Sequence, residues 1–194
     1  MIFIYCGGKC GGSTLRETLK NLDEVCHIHN NEYYKTLHDD RNINIFDMID
    51  FYSKNNSVYI IDVFRNPVDR KISSFFQNIS YHLGNDWEKL PIDNLLNHFK
   101  KEYENLENYE AIDEVFDHYK LGDPPKKIHE VPYFIKQEGN LILVKLRFDY
   151  IDKWEEHLTE IFKQPIKIIK DNLTQDKEIY PLYKIFKQAY FSLI

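Results

Sequence analysis

Four of the chain's seven glycines, Gly7, Gly8, Gly11 and Gly12, fall in a single short loop. Apolar Ile2-Phe3-Ile4-Tyr5 runs directly into them, and Leu15, Leu19 and Leu22 follow at i, i+4 and i+7, one face of a helix. A glycine-rich loop between a strand and a helix is where an anion site forms most easily. Its backbone N–H groups can turn inward, and the helix N-terminus adds partial positive charge. Here Lys9 supplies a full charge, and Ser13 and Thr14 supply hydroxyls. A reading without a ligand makes Thr14 and Glu17 a capping box, the glycines a turn, and Lys9 a solvated side chain.

The rest of the chain alternates strand and helix patterns. Glu24–His29 reads as a second short strand and Val58–Phe64 (VYIIDVF) as a buried one. Asn66 then caps a helix with Pro67 at its first position, and Val68, Ile72, Phe75, Phe76 and Ile79 form its apolar stripe. Trp87–Tyr119 reads as two polar helices, after which Pro124, Pro125 and Pro132 break the pattern. Tyr133–Ile135 and Leu141–Leu146 are expected strands around a Gln137-Glu138-Gly139-Asn140 turn. Helices are expected near Ile151–Phe162 and Leu182–Leu193, with a strand at Ile166–Ile169. This order predicts one α/β domain over residues 1–194, a three-layer sandwich with a mostly parallel central sheet. Ligands of such folds sit at the carboxyl ends of the strands, where the glycine loop and the Arg65 loop both lie.

Composition narrows the partners. A net charge of −6 argues against general nucleic-acid binding. The 43% hydrophobic and 29% charged residues are those of a globular chain. With 14 Tyr and 13 Phe, aromatic residues are in surplus for a core, and some are expected to line a groove for flat ligands. No apolar run has membrane-span length and no signal peptide is visible, so the expected location is the cytoplasm. Three cysteines make a disulfide framework improbable in that setting. Cys6, Cys10, Cys26, His27 and His29 are metal-ligand types, but their spacing is not that of a standard zinc finger, and no metal is expected.

The segment Arg65-Asn66-Pro67-Val68-Asp69-Arg70-Lys71-Ile72-Ser73 is a second anion signal. Arg65 leaves a strand end ready for bidentate contact with a phosphate, and Arg70 and Ser73 are i, i+3 neighbours on the following helix. Arginines at a helix N-terminus oppose its dipole, which favours an anionic partner. A nucleoside-triphosphate P-loop requires lysine where Ser13 stands, so an NTP-dependent kinase would need an atypical loop.

Lys9-Cys10-Gly11-Gly12-Ser13-Thr14-Leu15, together with FRNPVDRKISSFF (Phe64–Phe76), resembles the two signature segments of the sulfotransferases that use 3′-phosphoadenosine 5′-phosphosulfate (PAPS). A third, weaker likeness is VKLRFDYIDKWEEHL (Val144–Leu158). The resemblance implies a P-loop-NTPase-like sulfotransferase architecture with PAPS as co-substrate and no metal. Lys9, Cys10, Gly11, Gly12, Ser13 and Thr14 would hold the 5′-phosphosulfate, and Arg65 and Ser73 the 3′-phosphate. Family members also place a basic residue near the C-terminus on the cofactor, for which Lys170 and Lys177 are candidates. His27-Ile28-His29 resembles the uronosyl 2-O-sulfotransferases of glycosaminoglycan synthesis; residues two apart on a strand share a face, so either imidazole could reach the acceptor, and His29, nearer the strand end, is the expected general base, with His27 as helper and Glu32 as the fallback. The acceptor is expected to be a hydroxyl, with a carbohydrate as the favoured class, and the Asn172–Tyr190 tail has a look of bacterial capsular-polysaccharide synthesis proteins. A kinase or a non-catalytic phosphate-binding domain are the alternatives.

Overall fold

Five apolar runs become strands: β1 (Ile2–Tyr5), β2 (Val25–Ile28), β3 (Val58–Phe64), β4 (Tyr133–Glu138) and β5 (Leu141–Arg147). The computed structural model describes residues 1–123, 130–171 and 178–193. The sheet order is β2-β1-β3-β5-β4; every pairing is parallel except β4 against β5. The helices are α1 (Gly12–Leu19), α2 (Asn31–Leu37), α3 (Ile45–Ser53), α4 (Pro67–Leu83), α5 (Ile92–Phe99), α6 (Ala111–His118), α7 (Trp154–Phe162) and α8 (Tyr180–Phe191). By contacts the chain forms two compact units: Met1–Arg65 with Tyr109–Asp171, and Asn66–Asn108 with Asn172–Ile194.

The first unit holds the whole sheet, with helices on both faces. Alternate residues of a strand point to opposite faces, so β1 divides its side chains between two cores. Phe3 and Tyr5 pack with Ile60, Leu143, Ile45 and Ile49 of α3, and Ile112 and Val115 of α6. Ile2 and Ile4 pack with Ile61, Val144, Leu15 and Leu19 of α1, and Trp154 and Leu158 of α7. The expected α/β class, with a mostly parallel sheet flanked by helices, is what the chain forms.

The second unit is a helical cluster cored by rings. Ile72, Phe75, Phe76 and Ile79 of α4 are buried with Phe99, Tyr103, Tyr183 and Phe186. Phe75 meets Phe76, Phe99 and Tyr103 edge-on, with centroids 5.2–5.6 Å apart. Much of the aromatic surplus therefore packs here. The start of α4 follows the sequence reading: Pro67 occupies its first turn and Asn66 Oδ1 accepts from the N–H groups of Val68 and Asp69.

Several expectations fail for local reasons. Residues 166–169 are not a strand, because their N–H groups turn to side chains: Ile166 to Thr159 Oγ1, Ile168 to Glu155, Ile169 to Thr18 Oγ1. The 151–162 helix begins as a 3₁₀ turn at Phe148–Lys153, and only Trp154 onward is α-helical. Helices α2 and α3, capped by Asn30 and Asn44, occupy a stretch that showed no pattern. The two helices of the 87–119 stretch, α5 and α6, fall in different units. Pro124, Pro125 and Lys177 lie outside the described residues. Among the described residues, no helix is long and apolar enough to cross a membrane.

Candidate anion-binding site

The glycine loop leaves β1 at Cys6 and enters α1 at Gly12 with no capping box. The N-cap is Gly11, with φ of 87° and no side-chain cap, while Glu17 pairs with Lys20 and, at 3.3 Å, with Arg16. Gly11 needs that left-handed conformation, and it also needs the space. A Cβ there would stand 2.9 Å from the Trp154 ring and 3.3 Å from Phe148. At Gly12 a Cβ would come within 2.1 Å of His27 Nε2. Gly8 is different: it is exposed, and among the described residues nothing lies within 4 Å of where its Cβ would be. Nothing in the described protein requires glycine at this position.

Lys9 carries its own constraint. Its φ of 67° lies in the left-handed region, which costs an ordinary residue about 1–2 kcal/mol. Arg65, at the end of β3, donates from Nη1 to the Lys9 carbonyl oxygen at 2.5 Å. The same guanidinium lies over the Phe148 ring, 4.4 Å from its centroid. Its Nε is buried with no protein hydrogen-bond partner among the described residues. An unpaired buried donor costs about 1–3 kcal/mol, which an anionic partner would remove. Two motifs more than fifty residues apart in sequence thus meet at one hydrogen bond.

The remaining expected donors are placed unequally. Ser13 is half-buried on the first turn of α1. Thr14 is buried, and its hydroxyl is engaged with the backbone of Asp171, donating to the carbonyl at 3.2 Å and lying 3.4 Å from the N–H. Cys10 has its side chain buried in the core with Cys6, and its thiol donates to the Gly8 carbonyl at 3.6 Å, inside the loop itself. Ser73 is buried on α4 in the second unit, and Lys170 is exposed.

The histidine pair divides into two environments. His27, on β2 against Gly12, has its Nε2 buried with no hydrogen-bond partner among the described residues. Burial, helped by His29 and Arg16, pulls its pKa down to about 4. It is a neutral packing group and a weak base. His29 lies just past the strand, with Nδ1 2.9 Å from the Cys6 carbonyl and its ring against Tyr33 at 4.8 Å. A carbonyl only accepts, so Nδ1 carries the proton and the lone pair of the neutral ring sits on Nε2. Glu32 is exposed and paired with Lys35 at 2.7 Å.

One feature of this end of the sheet was not read from sequence. Asp62 of β3 and Lys145 of β5 are register partners, 2% and 1% exposed, with Nζ 3.3 Å from the carboxylate. Glu110 also pairs with Lys145, and the Tyr5 hydroxyl donates to Glu114, which accepts in addition from the Asn31 N–H at 3.3 Å. Burial pulls the Lys145 pKa down, but Asp62 and Glu110 outweigh it and keep the ammonium charged. Burial pushes Asp62 up, against the pull of Lys145. The signal was present: Asp62 is the lone charge in VYIIDVF, and Lys145 interrupts LILVKLR.

Comparison of the chain with protein-family models, with curated proteins and with solved structures returned no match.

Proposed function

We propose that the protein is a sulfotransferase that moves the sulfuryl group of PAPS to a hydroxyl, with a carbohydrate as the favoured acceptor class. The observation that carries this reading is the hydrogen bond from Arg65 to the Lys9 carbonyl, which joins the two segments that resemble the family's phosphosulfate and 3′-phosphate loops. The open side of Gly8 supports it, as does the buried Arg65 Nε, which has no partner among the described residues, since both suit an anion at the loop. These residues all belong to the first unit.

In this reading Lys9 and the N-terminal turn of α1 hold the phosphosulfate and offset charge on the bridging oxygen as its bond to sulfur breaks. His29 Nε2 takes the acceptor's proton while the new S–O bond forms, and adenosine 3′,5′-bisphosphate leaves. His27 is not a second base here; its burial against Gly12 makes it a spacer that sets the loop's position.

The test follows label from the sulfate donor into oligosaccharides with free hydroxyls. His29→Ala should lower turnover about a hundred- to ten-thousandfold and leave donor affinity nearly unchanged. Lys9→Ala should reduce both, because it touches donor charge in the ground and transition states. Near-wild-type turnover in His29→Ala, with loss in Glu32→Ala, would assign the base to the carboxylate.

A further inference from the structure

The proposed reading treats Arg65 as a contact to the 3′-phosphate. Its position gives it a second task. Lys9 C=O and Cys10 N–H belong to one planar peptide unit and point in opposite directions across it. By holding the Lys9 carbonyl at 2.5 Å, Arg65 fixes the direction of the Cys10 N–H and stabilises the left-handed conformation of Lys9. The guanidinium is itself a flat, rigid group laid on Phe148, and Phe148 also limits the space at Gly11. Nη1 is used by the loop, and Nε remains without a protein partner among the described residues. One guanidinium therefore gives one donor to the loop and keeps another, the buried Nε, without a partner among the described residues.

We propose that Arg65 is a positioning residue that couples the two ends of the nucleotide: a phosphate on its Nε edge holds the Lys9–Cys10 peptide ready for the 5′ end. This rests on the sulfotransferase reading for the ligand, but not for the loop geometry. Coupling of this kind is reciprocal, so each end should bind more tightly when the other is present. A nucleotide lacking the 3′-phosphate should then lose more than the contact it omits. Phe148, through its stacking on the guanidinium, serves the same coupling from the 147–154 segment.

Two measurements separate this from a simple phosphate contact. The first needs no ligand: amide hydrogen exchange at Cys10, Gly11 and Gly12 in the full chain. Arg65→Ala should speed exchange there while the β1 amides of Phe3 and Tyr5 stay protected, and Arg65→Lys, which keeps a donor, should recover much of the protection. The second is calorimetry with adenosine 5′-phosphate, which has no 3′-phosphate. Arg65→Ala should weaken it by about 5-fold or more. Arg65→Lys should restore that affinity, yet not the preference for adenosine 3′,5′-bisphosphate, because a point charge cannot replace a bidentate edge. If Arg65→Ala folds poorly, Phe148→Leu should show the same changes at smaller size. Unchanged loop exchange together with unchanged adenosine 5′-phosphate affinity overturns the coupling. Wild-type protein that binds no adenine nucleotide overturns the ligand assignment, and the exchange result then stands alone for the loop.

Discussion

The two ends of the glycine loop carry the same residue for opposite reasons. At Gly11 and Gly12 the protein itself takes the space: Trp154, Phe148 and His27 stand where a Cβ would be. At Gly8 the protein leaves the space open. The inner end is glycine because α1 packs tightly on β2 and on the 147–154 segment. The outer end has no internal reason to be glycine, and close approach of a ligand to the backbone supplies one. A count of glycines in a sequence mixes these two demands, and substitutions can separate them.

The largest effect should come from the inner end. Gly12→Ala must displace a buried imidazole, and we expect a loss of about 2–3 kcal/mol in urea unfolding. Adding His27→Ala should recover part of that loss. Strict additivity of the two changes would mean that they do not meet.

The next effect is a pH dependence. The folded chain holds His27 near a pKa of 4, against an ordinary value of about 6.5 in the unfolded chain. Between those values the unfolded state binds the proton and the folded state does not. Stability from this group is therefore complete above about pH 6.5 and falls as the pH drops toward 4, by at most about 3 kcal/mol. His27→Gln should flatten the curve in that window, and a curve of unchanged slope would show that His27 is not the group responsible.

The smallest effect on folding belongs to the outer end. Gly8→Ala should alter stability by no more than about 0.5 kcal/mol, while weakening nucleotide binding. Loss of stability without loss of binding would reverse the assignment of the two ends.

What the sequence revealed follows the same division. Patterns that depend on near neighbours were legible: the β1–loop–α1 unit, the buried β3, and the Asn66-Pro67 start of α4. Features that depend on distant partners were not. The Thr14 hydroxyl looked like a capping or ligand group, yet it is taken by Asp171. Residues 166–169 looked like a strand, yet Thr159, Glu155 and Thr18 satisfy their N–H groups. The sequence set His29 before His27 only by its place nearer the strand end; the approach of Gly12 to one ring and of the Cys6 carbonyl to the other is what separates their environments. The Asp62–Lys145 pair required knowing that β3 and β5 are neighbours. Arg65 was correctly read as a group at a strand end, but its hold on Lys9 is a tertiary fact.

On the proposed function, the open end of the loop and the Arg65 guanidinium hold a nucleotide carrying phosphate at both its 3′ and 5′ positions. Calorimetry of the full chain with adenosine 3′,5′-bisphosphate, ADP and ATP tests it most directly. Adenosine 3′,5′-bisphosphate should bind tightest, with Gly8→Ala and Arg65→Ala both reducing that preference. Equal or tighter binding of ATP, unaffected by Arg65→Ala, would contradict it.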